Sequence, residues 1–274
     1  MTMMERESET TMTAPTASPP TRRPVQVLGL PITPYTTAET VDELDELVKT
    51  GGPAYIVTAN LNYAMLCATD LDLHDVNEHA VFVVADGAPL VWWSRLIGHP
   101  LPERVAGSDL IYLVSARAAE RGYRVYLLGA GPGVAGEVAE TLVERYPGLQ
   151  VVGTESPPFR PLTDEEQAAQ LARIRAAGPD ILMLAFKMPD GERWLRDHAP
   201  ELGVPLVLQF GASFDFVAGR VERAPRWMQR TGLEWLYRTA QEPGRLAGRY
   251  GRNLGFLAKA FLTGRWITER RLAR

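Results

Sequence analysis

The chain has 274 residues, 46% of them hydrophobic, and a net charge of −4. That is enough to bury a sizeable core, and the composition is that of a globular protein. The single cysteine, Cys67, excludes an intramolecular disulfide, and no apolar run reaches the roughly 20 residues that span a bilayer.

Residues 1–24 are rich in Thr, Ser, Pro and charge, lack large aliphatics, and read as a disordered tail without a signal-peptide core. Short apolar runs follow at 25–28, 54–58, 81–85, 124–128, 150–152, 181–185 and 206–209. Between them lie helical patterns at 38–49, 61–69, 108–121, 133–145, 164–177 and 191–198. Such alternation predicts an α/β domain over 25–219 with a mainly parallel sheet. Thr163 to Glu166 reads as a capping-box start, and Gly122, Gly148 and Gly178 stand where helices should stop. From about Trp227 the pattern is helical only. Leu246, Tyr250, Leu254, Leu257 and Phe261 recur at helical spacing, with Arg245, Arg249, Arg252 and Lys259 between them. Residues 220–274 hold 13 Lys and Arg against 4 Glu, a net of +9, leaving −13 for the rest. This basic appendage predicts an anionic partner, either phosphate, a membrane surface or nucleic acid; packing of a solvated face on the body is the plainer alternative.

In an open parallel sheet, ligands bind where the strands end at their C-terminal side. Here those ends carry Thr58, Asn60 and Asn62; Asp86-Gly87; Gly129, Gly131 and Gly133; Lys187; and Asp215. Asp86 closes a buried apolar run, where a carboxylate needs partners or a task. A turn or helix N-cap is its structural alternative. Gly131-Pro-Gly133-Val-Ala-Gly136, with Glu155 beyond the next strand, matches a dinucleotide fingerprint and keeps an NAD-dependent oxidoreductase open. The same loop equally suits a nucleotide diphosphate. Asp70-Leu-Asp72 admits a divalent metal or a solvated helix end. His74, His79, His99 and His198 show no ligand spacing, and no hydrolase motif occurs. Arginines beside Trp227, Trp235, Tyr237 and Tyr250 fit either nucleic acid or a pyrophosphate gripped by forked guanidiniums.

Taken together, Thr58-Ala-Asn60-Leu-Asn62, Ala85-Asp86-Gly87, Glu103-Arg104-Val-x-Gly107-x-Asp109, Leu128-Gly129-x-Gly-Pro-Gly133 and Phe214-Asp215-Phe216 carry a resemblance. So do Arg223-Ala-Pro-x-Trp227, Gly232-Leu-Glu234-Trp235-Leu-Tyr-Arg238 and Glu242-Pro243. From about Val25 to Tyr250 the chain resembles the WecG/TagA/CpsF glycosyltransferases. The resemblance implies a Rossmann-like core with helices on both faces and a C-terminal helical appendage that supports membrane association. It implies a metal-independent, inverting transfer from a UDP-sugar, with no cofactor. The acceptor would be a polyprenyl-diphosphate-linked sugar at the inner face of the cytoplasmic membrane, or a divergent small molecule. Nucleic acid is not an implied partner; self-association is. Asp86 matches the catalytic base, Thr58, Asn60 and Arg104 the donor site, and Arg223, Arg238, Arg245 and Arg249 the appendage arginines. One departure stands out. Where the family has Gly-x-Gly-x-Pro-Lys-Gln-Glu-x-Trp, this chain reads Ala-Phe-Lys187-Met-Pro189-Asp190-Gly191-Glu192-Arg-Trp194.

Overall fold

The computed structural model describes residues 22–265 and 269, so all but the last three residues of the expected 1–24 tail lie outside it. A hairpin of β1 (Val25–Val27) and β2 (Leu30–Ile32) leads into α1 (Thr37–Thr50), β3 (Ala54–Ala59), α2 (Leu61–Cys67) and α3 (Asp72–His79). Next come β4 (Val83–Ala85), α4 (Ala88–Leu96), α5 (Gly107–Arg121), β5 (Arg124–Gly129), α6 (Val134–Arg145) and β6 (Gln150–Glu155). The body ends with α7 (Asp164–Ala177), β7 (Ile181–Ala185), α8 (Asp190–Leu202), β8 (Leu206–Gln209) and the short α9 (Ser213–Val217). Helices α10 (Arg226–Thr231), α11 (Glu234–Gln241) and α12 (Pro243–Leu262) follow.

The eight strands form one sheet in the order β1-β2-β4-β3-β8-β7-β5-β6. Among the described residues only the β1–β2 pair is antiparallel. The order divides at a seam: strands β1–β4 make one half, β5–β8 the other, and β3 joins them by pairing Ala54 with Leu206 and Ile56 with Leu208.

Side-chain alternation along each strand builds two cores. Tyr55, Val57 and Ala59 of β3, with Leu182 and Leu184 of β7, face Tyr63, Leu73, Leu90, Ile174 and Leu195 from α2, α3, α4, α7 and α8. Ala54 and Ile56, with Ile181 and Met183, face Leu44, Leu110, Val138 and Phe214 from α1, α5, α6 and α9. A sheet covered on both faces needs near-continuous apolar strands, and each Leu, Ile or Phe fully withdrawn from water contributes about 1.5–3 kcal/mol. The result is the Rossmann-like α/β architecture that the alternation and the resemblance lead one to expect. Helix punctuation follows the sequence closely. Thr163 and Glu166 form a reciprocal capping box on α7, and Gly122 and Gly178 end α5 and α7 in the left-handed region. Gly148 lies beyond the end of α6, in the turn before β6.

Four elements are absent from the sequence expectation: β2, α3, α4 and α9. Each is short, and β2 carries Pro31, so none builds a readable periodicity. The apolar run after Asp86 forms α4, whose Leu90, Val91 and Trp93 turn inward while Trp92 remains 47% exposed. At the far end of the chain, Glu269 is buried. It accepts hydrogen bonds from the Leu28 amide at 3.1 Å and the Trp93 indole N–H at 2.8 Å. The C-terminal segment is thereby tied to the β1–β2 turn and to α4.

Candidate active site

A cleft of about 770 Å³ opens at the C-terminal ends of the central strands, and α11 and α12 close its far side. Asp86 lies at its floor. Its amide continues the ladder by donating to Ala59 O at 2.7 Å, which fixes the backbone. Its Oδ2 accepts from the amide of Gly107, the first residue of α5, at 3.3 Å. Burial pushes the Asp86 carboxyl up to about 6, against the opposing pull of Arg104 and the Gly107 amide; Glu234 and Asp109 add to the rise. A carboxylate poised near neutral pH and open to a cleft can take a proton from a bound hydroxyl.

The remaining candidates group around it. Thr58 lines the cleft beside Gly107. Asn60 also lines it, while its Oδ1 caps α2 by accepting from the Tyr63 amide at 3.1 Å. Asn62 Nδ2 lies 3.5 Å from Met188 Sδ, and Lys187 is exposed at the rim of the same loop. Gly131 faces the cleft with Ala130 and Pro132. Gly129 and Gly133 stand behind that lining, in the last β5–β7 pair and at the N-cap of α6. Glu155, which a dinucleotide fingerprint would turn towards a ribose, is engaged by Tyr126, Gln170 and Arg173. Asp70 and Asp72 are likewise paired, with Arg193 and Arg196.

The opposite wall is cationic. Arg238, Arg245 and Arg249 line it around Asp215, whose carboxyl burial raises and Arg245 and Arg220 lower. Arg238 sits 5.1 Å over the Phe216 ring and Arg249 4.9 Å over that of Tyr250. The Nε atoms of both arginines are buried without a hydrogen-bond partner among the described residues. An unpaired buried donor is costly, and a guest rich in acceptor oxygens would suit this wall. Arg223 lies behind it instead. Its guanidinium joins Asp109 at 2.7 Å to Gln229 at 3.1 Å, fastening the segment before α10 to α5.

The lining residues not singled out as site residues from the sequence include Glu192, Gln209, Glu234 and Asn253. Glu192 is only 4% exposed, its Oε2 has no partner among the described residues, and burial pushes its carboxyl up to about 7. Asn253 Oδ1 is also buried and unpartnered. Gln209 clasps the backbone of Phe186, accepting from its amide at 3.2 Å and donating to its carbonyl at 2.9 Å. A Cβ on Gly191 would fall 1.7 Å from Gln209 Nε2. Gly191 and Gln209 thus share one space, which gives a steric reason for the departure at 191. The available signal was the Pro189-x-x-Glu192-x-Trp194 remnant: a carboxylate in the first turn of a helix that starts at a strand end.

A mainly parallel sheet covered on both faces, with an acid in its strand-end cleft and arginines opposite, has the build of an α/β enzyme. The model of the glycosyl transferase WecG/TagA/CpsF family matches residues 25–271, and the chain belongs to that family. Two relatives are N-acetylglucosaminyldiphosphoundecaprenol N-acetyl-beta-D-mannosaminyltransferases. That of Bacillus subtilis is 32% identical and that of Bacillus spizizenii 31%. Each match extends over 192 residues, 70% of this chain and 73% of the relative.

Proposed function

We propose that this glycosyltransferase moves an N-acetylmannosamine-type hexose from a UDP-sugar to a hydroxyl of a polyprenyl-diphosphate-linked sugar, with inversion and without a metal. The observation that carries the reading is Asp86, a carboxylate held near neutral pKa at the floor of a cleft whose other wall is arginine. The acceptor hydroxyl attacks the anomeric carbon from the face opposite the departing UDP, and Asp86 takes its proton. Negative charge builds on the leaving diphosphate. Arg238 and Arg249 neutralise it with charge-assisted hydrogen bonds, the role a cation has in metal-dependent transferases, while Arg245 stands in the same wall with its fork engaged by Glu242. Thr58, Asn60, Asn62, Arg104, Gly131, Lys187 and Asp215 surround the donor.

The names of the two relatives support the mannosaminyl donor and the lipid-diphosphate acceptor. Among the described residues no helix is long and apolar enough to cross a membrane. The C-terminal helices expose Trp227, Leu236 and Phe261 in a basic segment, which suits contact with the anionic inner face of the cytoplasmic membrane. A screen of UDP-sugars with a lipid-diphosphate-linked sugar as acceptor should give UDP release and one inverted product, unchanged by EDTA. Stabilisation of the protein by NAD rather than UDP, or turnover that EDTA abolishes, would overturn the reading.

A further inference from the structure

Arg104 stands next to the base yet is not paired with it. Its Nη1 donates to Glu234 Oε2 at 3.0 Å, its Nη2 lies 3.9 Å from Asp109, and among the described residues no ion pair joins it to Asp86. Both partners of the Arg104–Glu234 bridge are mostly withdrawn from solvent, 21% and 15% exposed at the side chain. Glu234 belongs to α11, whereas Asp86 and Arg104 belong to the body. Two contacts fix where Glu234 arrives. Arg223 binds Asp109 and Gln229, and Gly232 packs so closely on α4 that a Cβ there would fall 2.5 Å from Ala88 and 2.8 Å from Trp92.

We propose that Glu234 is a positioning residue for the transfer step: from the C-terminal helices it holds the Arg104 guanidinium away from Asp86, leaving that carboxylate unpaired to receive the acceptor's proton. The inference rests on Asp86 being the base. Without Glu234 the Arg104 guanidinium is left between Asp109, 3.9 Å from its Nη2, and Asp86, whose charge acts on it more strongly than that of Asp109. A carboxylate in a forked ion pair is a weak base whose lone pairs are already engaged. The charged groups facing Asp86 are Arg104, Asp109 and Glu234, with the Gly107 amide completing its shell. Removing Glu234 deletes one raising influence and releases one lowering influence, so both changes act in the same direction.

The test uses the full chain in three forms, wild type, Glu234→Gln and Glu234→Asp, with the Asp86 carboxyl followed by carbon NMR against an Asp86→Asn control. In Glu234→Gln the Asp86 titration should move to lower pH. Turnover at saturating UDP-sugar should fall about tenfold or more, as expected for a misplaced general base, with UDP-induced stabilisation retained. Glu234→Asp, which keeps the charge, should bring the titration back towards wild type. An unmoved Asp86 titration in Glu234→Gln, or loss of UDP binding together with turnover, would overturn this inference. A wild type that turns over no UDP-sugar while the Asp86 titration still shifts would overturn the transferase reading and leave the coupling standing.

Discussion

The Gly107 amide at the head of α5 donates a 3.3 Å hydrogen bond to Asp86 Oδ2, so the carboxylate proposed as base is aimed by a backbone group. Its carboxyl titrates at about 6, and only the ionised form accepts a proton. Turnover should therefore rise as pH climbs through about 6. Asp86→Asn should lose ~10²–10⁴-fold in kcat with UDP affinity nearly unchanged. Steady-state rates beside UDP titration calorimetry check both; a variant with near-normal kcat would remove Asp86 from the role of base.

Glu192 links the site to stability. Its folded value of about 7 lies above the ordinary 4.5, so the native state holds that proton more tightly than the unfolded chain does. Stability is full below pH 4.5 and falls as pH rises through 7, by about 3 kcal/mol in all. Glu192→Gln should be more stable than wild type at pH 8, with the gap closing at pH 5. Urea midpoints at the two pH values measure this, and an equal gap at both would contradict a neutral buried acid.

The shared space of Gly191 and Gln209 predicts a reciprocal effect. Gly191→Ala should cost ~1–3 kcal/mol by overpacking, and adding Gln209→Ala should recover part of that loss. Strictly additive costs in the double-mutant cycle would show that the two residues do not compete.

The arginines should divide into two classes. Arg238→Ala and Arg249→Ala should each weaken UDP binding about tenfold, the worth of one charge-assisted hydrogen bond, with little change in melting temperature. Arg223→Ala should do the reverse, because it leaves Asp109 and Gln229 without their bridge. Calorimetry and thermal melts on the three variants separate these outcomes.

The body of the fold was legible because its strands are buried on both faces and its helices carry their own stops. The Thr163–Glu166 box and the caps at Gly122 and Gly178 are local chemistry, visible without tertiary context. Asp86 was legible for a different reason: a carboxylate closing an apolar strand is a conflict that asks for an explanation. Glu234 and Asn253 were not, since their position depends on how α11 and α12 fold back on the body, and a helical wheel does not carry that angle. Gly129 and Gly133 look like ligand contacts in the string because a glycine loop has the same spelling whether it meets a guest or a neighbouring strand. Gly191 could be noted as a gap in a motif, but the side chain that fills its space, Gln209, comes from β8.

The seam between β3 and β8 also bears on how the molecule is made. A ribosome delivers residues 25–85 early, and they can lay down their half of the sheet. The edge of β3 must then wait for residues 206–209, and the arginine wall for still later ones. Until that late pairing, the growing polypeptide carries an open apolar strand and no catalytic capacity, so exposure to aggregation and onset of activity are both set by the same final stretch of translation.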